Sequence, residues 1–94
     1  MEYKERILRQ VIRHFFLMGR HRNGLTQNSL SEMSKITRQF ISQVESGKRQ
    51  PSIFTLSNLA SAYNLSLTEL FQEIDILYQK MEEEDSQRGK NEPS

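Results

Sequence analysis

A chain of 94 residues with net charge +1 and seven isoleucines, ten leucines, two valines and five phenylalanines can build one small domain with a thin core, and no separate catalytic domain. It has no cysteine, which excludes a disulfide framework, a thiolate metal site and cysteine catalysis, and no apolar run approaches the roughly 18 residues of a membrane-spanning helix. The charge is uneven: residues 1–50 carry ten basic and four acidic side chains, residues 51–94 three and eight, so a polyanion is the partner expected at the basic half.

The opening Met1-Glu2-Tyr3-Lys4-Glu5 lacks the charge-then-apolar order of a signal peptide, so a cytoplasmic location is expected. From about Tyr3 to His21, Ile7, Leu8, Val11, Ile12, Phe15, Phe16 and Met18 recur at three- and four-residue spacing. They predict one long amphipathic helix, ended by Gly19 or by Asn23-Gly24. A second helix starts with Thr26 as N-cap; Leu30 and Met33 face inward and Ser34-Lys35 breaks it. The third starts at Thr37, has Ile41 and Val44 as its inner face, and ends at Gly47 in a left-handed cap. The fourth follows Pro51 with Ser52 as N-cap and Ile53, Leu56, Leu59, Ala60 and Tyr63 at helical spacing.

Ser66 opens the fifth helix, with Glu69 completing a capping box. Leu67, Leu70, Ile74, Leu77 and Met81 then repeat at three and four, widened by Phe71 and Tyr78. The stretch between Pro51 and Gly89 has neither proline nor glycine, and no segment alternates as a strand would. The fold class is therefore all-α: five helices, the first and last long, over residues 1–85, and a disordered polar tail over residues 86–94.

Catalytic groupings are nearly absent. His14 and His21 are seven residues apart, whereas a metal pair on a helix wants about four. No glycine loop cradles phosphate, and no serine has a histidine partner. No metal, cofactor or enzymatic activity is expected.

The middle of the chain carries the functional signal. Leu25-Thr26-Gln27, Leu30, Ile36-Thr37, Ile41-Ser42, Val44-Glu45, Gly47-Lys48-Arg49 and Pro51-Ser52 follow one another in order. Leu56, Leu59-Ala60, Leu65-Ser66-Leu67 and Glu69-Leu70-Phe71 continue the string. It closely resembles the helix-turn-helix of the lambda-repressor/Cro-like family, from about Phe16 to Phe71. The resemblance implies a sequence-specific DNA-binding transcriptional regulator of bacterial, phage or plasmid type. It also implies repression as the usual output and a homodimer on a palindromic or near-palindromic operator.

On the third helix Arg38, Gln39, Ser42 and Gln43 face outward, opposite Ile41 and Val44. Glutamine can pair with adenine N6 and N7, and arginine with guanine O6 and N7. The N-terminal residues of a recognition helix reach the base edges, so Arg38, Gln39 and Gln43 are the expected base readers, with Ser42 and Phe40 beside them. Phe40 either meets a thymine methyl or packs back on Leu25 or Leu30. The resemblance assigns phosphate contacts to Gln27, Thr37, Ser46, Lys48 and Arg49, and a buried ion pair to Arg20 and Glu45.

Departures from the family pattern are Lys35 for the turn glycine, Ser31 for alanine, Gly19 for leucine and Phe54 for an acidic residue. Phe54 suggests a partner surface. Ile74, Leu77, Tyr78 and Met81 extend beyond the matched core and are the expected dimer interface, the alternative being that they cover the chain's own first helix. A rival reading is a protein-interaction module, an antitoxin or bridging factor, with the acidic C-terminal segment as the partner site and DNA binding secondary.

Overall fold

Between helices the backbone is reversed by residues placed in the left-handed region: Gly24 (φ 67°), Lys35 (φ 61°), Gly47 (φ 82°) and Asn64 (φ 57°). Each is followed closely by a hydroxyl side chain that starts the next helix. Thr26, Thr37 and Ser52 accept hydrogen bonds from the N–H groups of Ser29, Phe40 and Thr55, and Ser66 exchanges bonds with Glu69, N–H to side chain in both directions. All four starts expected from the sequence thus satisfy helix N–H groups that would otherwise lack partners.

The result, in a computed structural model that describes the backbone of residues 2–91 and the side chains of residues 2–87, is α1 (Tyr3–Arg22), α2 (Gln27–Ser34), α3 (Arg38–Glu45), α4 (Ile53–Ala62) and α5 (Leu67–Asn91). No strand occurs among the described residues, and none of the described helices is long and apolar enough to cross a membrane.

α1 and α5 run antiparallel. Arg6 meets Asp85 at 3.9 Å at one end, while at the other His14 and Met18 share a cavity with Glu73 and Ile76. α2 and α3 pack together beside α1, and α4 closes the gap between α2 and α5. Ile7, Val11, Phe15 and Phe16 of α1 meet Leu30, Ile41, Val44, Leu56, Leu59, Leu70 and Ile74 in one buried cluster.

Four expectations change. α5 continues through Asn91, so residues 86–91 are helical rather than tail; nothing between Glu82 and Arg88 breaks a helix, and glutamate, glutamine and arginine are good formers. Residues 92–94 lie outside the described residues. Met33 is 54% exposed because the inward face of α2 is centred on Leu30 and Ser34. Ile53 is half exposed at the first turn of α4.

The stripe on α5, finally, turns towards its own chain. Ile74 is buried, and Leu77, Tyr78 and Met81 are half-buried against the core. α5 shares the covering of α1 with α3, and Ile74, only 6% exposed, keeps almost no surface for a second subunit.

Candidate nucleic-acid interface

The turn between α2 and α3 is clasped by two serines. Ser34 Oγ donates to the Leu30 carbonyl at 2.7 Å and accepts from the Ile36 N–H at 3.1 Å. Ser31 Oγ donates to the Ile36 carbonyl at 2.6 Å. Both backbone groups of buried Ile36 are thereby satisfied, which holds Lys35 in its left-handed conformation without glycine. This is what Ser31 does in place of alanine.

α3 is fixed from below. Ile41 and Val44 are fully buried and Glu45 is buried beside them. On the outer side Arg38, Gln39 and Ser42 are exposed and Gln43 is half-buried. These four polar side chains form the free face of an eight-residue helix whose orientation is set by its other face. Phe40 is half-buried and packs against the core. The Arg49 guanidinium lies over its ring, 5.4 Å from the centroid, a cation–π arrangement that draws Arg49 back towards the first turn of α3. Thr37 and Ser46, Lys48 and Arg49 are exposed at the two ends of the helix. Ser46 Oγ donates to the Gln43 carbonyl at 3.1 Å.

Beneath this face, Arg20 and Glu45 make a two-pronged ion pair. Arg20 Nε donates to Glu45 Oε2 at 2.8 Å and its Nη2 to Oε1 at 3.0 Å, with side chains only 13% and 7% exposed. Arg20 Nη1 reaches the Leu25 carbonyl at 3.0 Å. The hydrogen bond to Glu45 holds the guanidinium pKa above its ordinary value, against the opposing effect of partial burial. Gln27 is half-buried and donates its amide to Glu45 Oε1 at 3.1 Å, an internal task in addition to the phosphate contact that the resemblance implies. Arg38, Gln39, Ser42 and Gln43 thus share one outer face, while Arg20, Gln27 and Glu45 meet underneath.

Two features are not legible in the sequence. Arg13 Nε donates to the Glu45 backbone carbonyl at 2.9 Å; the only sequence trace is that Arg13 precedes Arg20 by seven residues, two turns along the same face of α1. Gly19 sits against Tyr63: a Cβ there would come within 2.5 Å of the ring. The Tyr63 hydroxyl passes the glycine to donate to the Phe16 carbonyl at 2.7 Å, and burial, then the nearby Glu45 charge, pushes its pKa well above the ordinary tyrosine range. Gly19 is therefore a packing residue inside α1, and Gly24 ends the helix. Phe54 is 80% exposed.

Comparison with known proteins places this geometry. The family model described as helix-turn-helix matches residues 20–70. Over 54 residues the chain is 43% identical to the HTH-type transcriptional regulator PuuR of Escherichia coli (strain K12), covering 57% of this chain and 29% of PuuR. The chain thus spans less than a third of that relative's length. It is 34% identical over 68 residues to y4dJ, an uncharacterized HTH-type transcriptional regulator of Sinorhizobium fredii (strain NBRC 101917 / NGR234), with 72% of this chain and 88% of y4dJ covered. The clp gene regulator ClgR from Corynebacterium glutamicum has a similar fold, with a TM-score of 0.68 over 86% of this chain and 87% of that one at 23% identity.

Proposed function

The chain belongs to the helix-turn-helix family of DNA-binding transcriptional regulators, of lambda-repressor/Cro-like type, and from that premise we propose that it is a cytoplasmic repressor that binds a two-fold symmetric operator as a homodimer. The observation that carries the reading is the outer face of α3. Arg38, Gln39, Ser42 and Gln43 point away from a helix held rigidly by Ile41, Val44 and Glu45.

In this reading Gln39 and Gln43 read adenine edges, and Arg38 reads a guanine or takes a phosphate. Ser42 and the exposed edge of Phe40 fill the space between. Thr37, Ser46, Lys48 and Arg49 grip the backbone, which adds affinity but no sequence information. Gln27 serves at the N-terminus of α2, where its side chain also braces Glu45. One recognition helix reads only a few base pairs, so a dimer doubles the readout. Leu77, Tyr78 and Met81 each keep an exposed part, and Tyr78 with the exposed Phe71 lines a groove beside Leu8 of α1, the apolar surface that α5 offers a second subunit in this reading.

The test is selection of duplexes from a random pool by the full chain. It is expected to enrich inverted half-sites about 34 Å apart, one helical turn. Gln39→Ala should then cost about 1–3 kcal/mol on the selected site and little on random DNA. A pool that never converges, or equal losses on both DNAs, overturns the reading.

A further inference from the structure

We propose that Arg13 is a positioning residue for DNA binding: by holding the last carbonyl of α3 it sets the pose of the Gly47-Lys48-Arg49 turn that grips the phosphates. This role rests on the regulator reading above.

The four carbonyls at the C-terminus of α3 have no partner within the helix. The Ser42 carbonyl accepts from the Ser46 N–H at 3.0 Å, that of Gln43 from the Lys48 N–H at 2.8 Å, and that of Val44 from the Gly47 N–H at 3.0 Å. The last two are the paired bonds of a cap built around a left-handed glycine, and Gly47 has φ 82°. The Glu45 carbonyl is left over, and Arg13 supplies its donor from α1. The Arg13 stem also lies beside the turn, its Cδ 3.7 Å from where a Cβ on Gly47 would sit.

Glu45 is therefore anchored twice to α1, through its carboxylate by Arg20 and through its carbonyl by Arg13. One anchor fixes where the end of α3 sits; two fix its rotation as well. Rotation matters because the Lys48 and Arg49 N–H groups both bond to the Gln43 carbonyl, so those side chains turn with the helix end. The positive charge also complements the negative end of the helix dipole. Arg13 lies outside residues 20–70 matched by the family model, so this interaction comes from the extension of α1 and not from the shared motif.

Arg13→Ala and Arg13→Gln in the full chain test the assignment, using the duplex selected above. Both variants are expected to bind it about tenfold more weakly. The log–log salt slope should shrink by about 0.9 for each phosphate no longer gripped, a readout that a residue adding only stability would not move. In the DNA-free protein the Gly47 and Lys48 amides should exchange with solvent faster, while the Leu59 and Leu70 amides keep their protection. An unchanged salt slope overturns the proposal. So does a reduced slope with unchanged Gly47 and Lys48 exchange, since Arg13 would then touch a phosphate itself. Failure of the wild type to bind any duplex overturns the regulator reading and this proposal together; failure confined to the variants' behaviour overturns this proposal alone.

Discussion

Glu45 receives every one of its side-chain partners from elsewhere in the chain: two bonds from Arg20 and one from Gln27. A buried carboxylate so arranged is costly to disturb from one side only. Arg20→Ala leaves the charge in place without its main partner and should destabilise the fold by about 3–5 kcal/mol, a large part of the roughly 5–15 kcal/mol expected of a small domain. Removing both charges should cost less than the two single changes together. Urea unfolding of Arg20→Ala, Glu45→Ala and the double variant is expected to give a coupling well above ~0.5 kcal/mol; additive effects would show that Gln27 and Arg13 alone keep Glu45 in place. At this scale the ion pair is legible only through family resemblance. Twenty-five residues separate its partners, and no local pattern announces an interaction at that range.

Helices begin where the sequence says they should because an N-cap is a local device. The cap of α5 is the most complete, with Ser66 and Glu69 satisfying each other's N–H groups. The Ser66 backbone N–H first, then its side chain, holds the Glu69 carboxyl below its ordinary 4.5. A carboxylate depressed in the folded state contributes stability that is present above its unfolded pKa and is lost as pH falls through the folded value. Glu69→Gln should therefore be less stable than the wild type at neutral pH, and the gap should narrow as pH falls below 4.5. Urea unfolding of both proteins across that range measures it; a constant gap would mean that the charge plays no part. The far end of α5 departs from expectation for a related reason. A polar run without apolar residues suggests a tail by composition, yet it holds no residue that stops a helix before Gly89, and α5 runs on.

Across the whole molecule the decisive pairing is α1 with α5. Ile74, Leu77 and Met81 pack on the core that includes Ile7, Val11 and Phe15. Burying such a side chain fully is worth about 1.5–3 kcal/mol; Ile74 realises that in full and half-buried Leu77 and Met81 in part, so losing all three removes a large share of the net stability of the domain. Truncation after Phe71 should consequently abolish cooperative melting followed by circular dichroism, rather than leave a folded helix-turn-helix. A truncated chain that melts as sharply as the full one would show that residues 1–71 fold on their own.

The amino-acid pattern by itself determined the number of helices, their starts, the left-handed cap at Gly47 and which side of α3 is polar. Caps, turns and amphipathic faces are written within a few residues of where they act. Only the tertiary structure decided that Ile74 faces its own α1, that Gly19 makes room for Tyr63, and that Arg13 reaches the end of α3 across 32 residues of sequence. Periodicity says that a face must be covered but not by what. A long arginine on a solvated helix looks the same in sequence whether its guanidinium meets water or the last carbonyl of another helix.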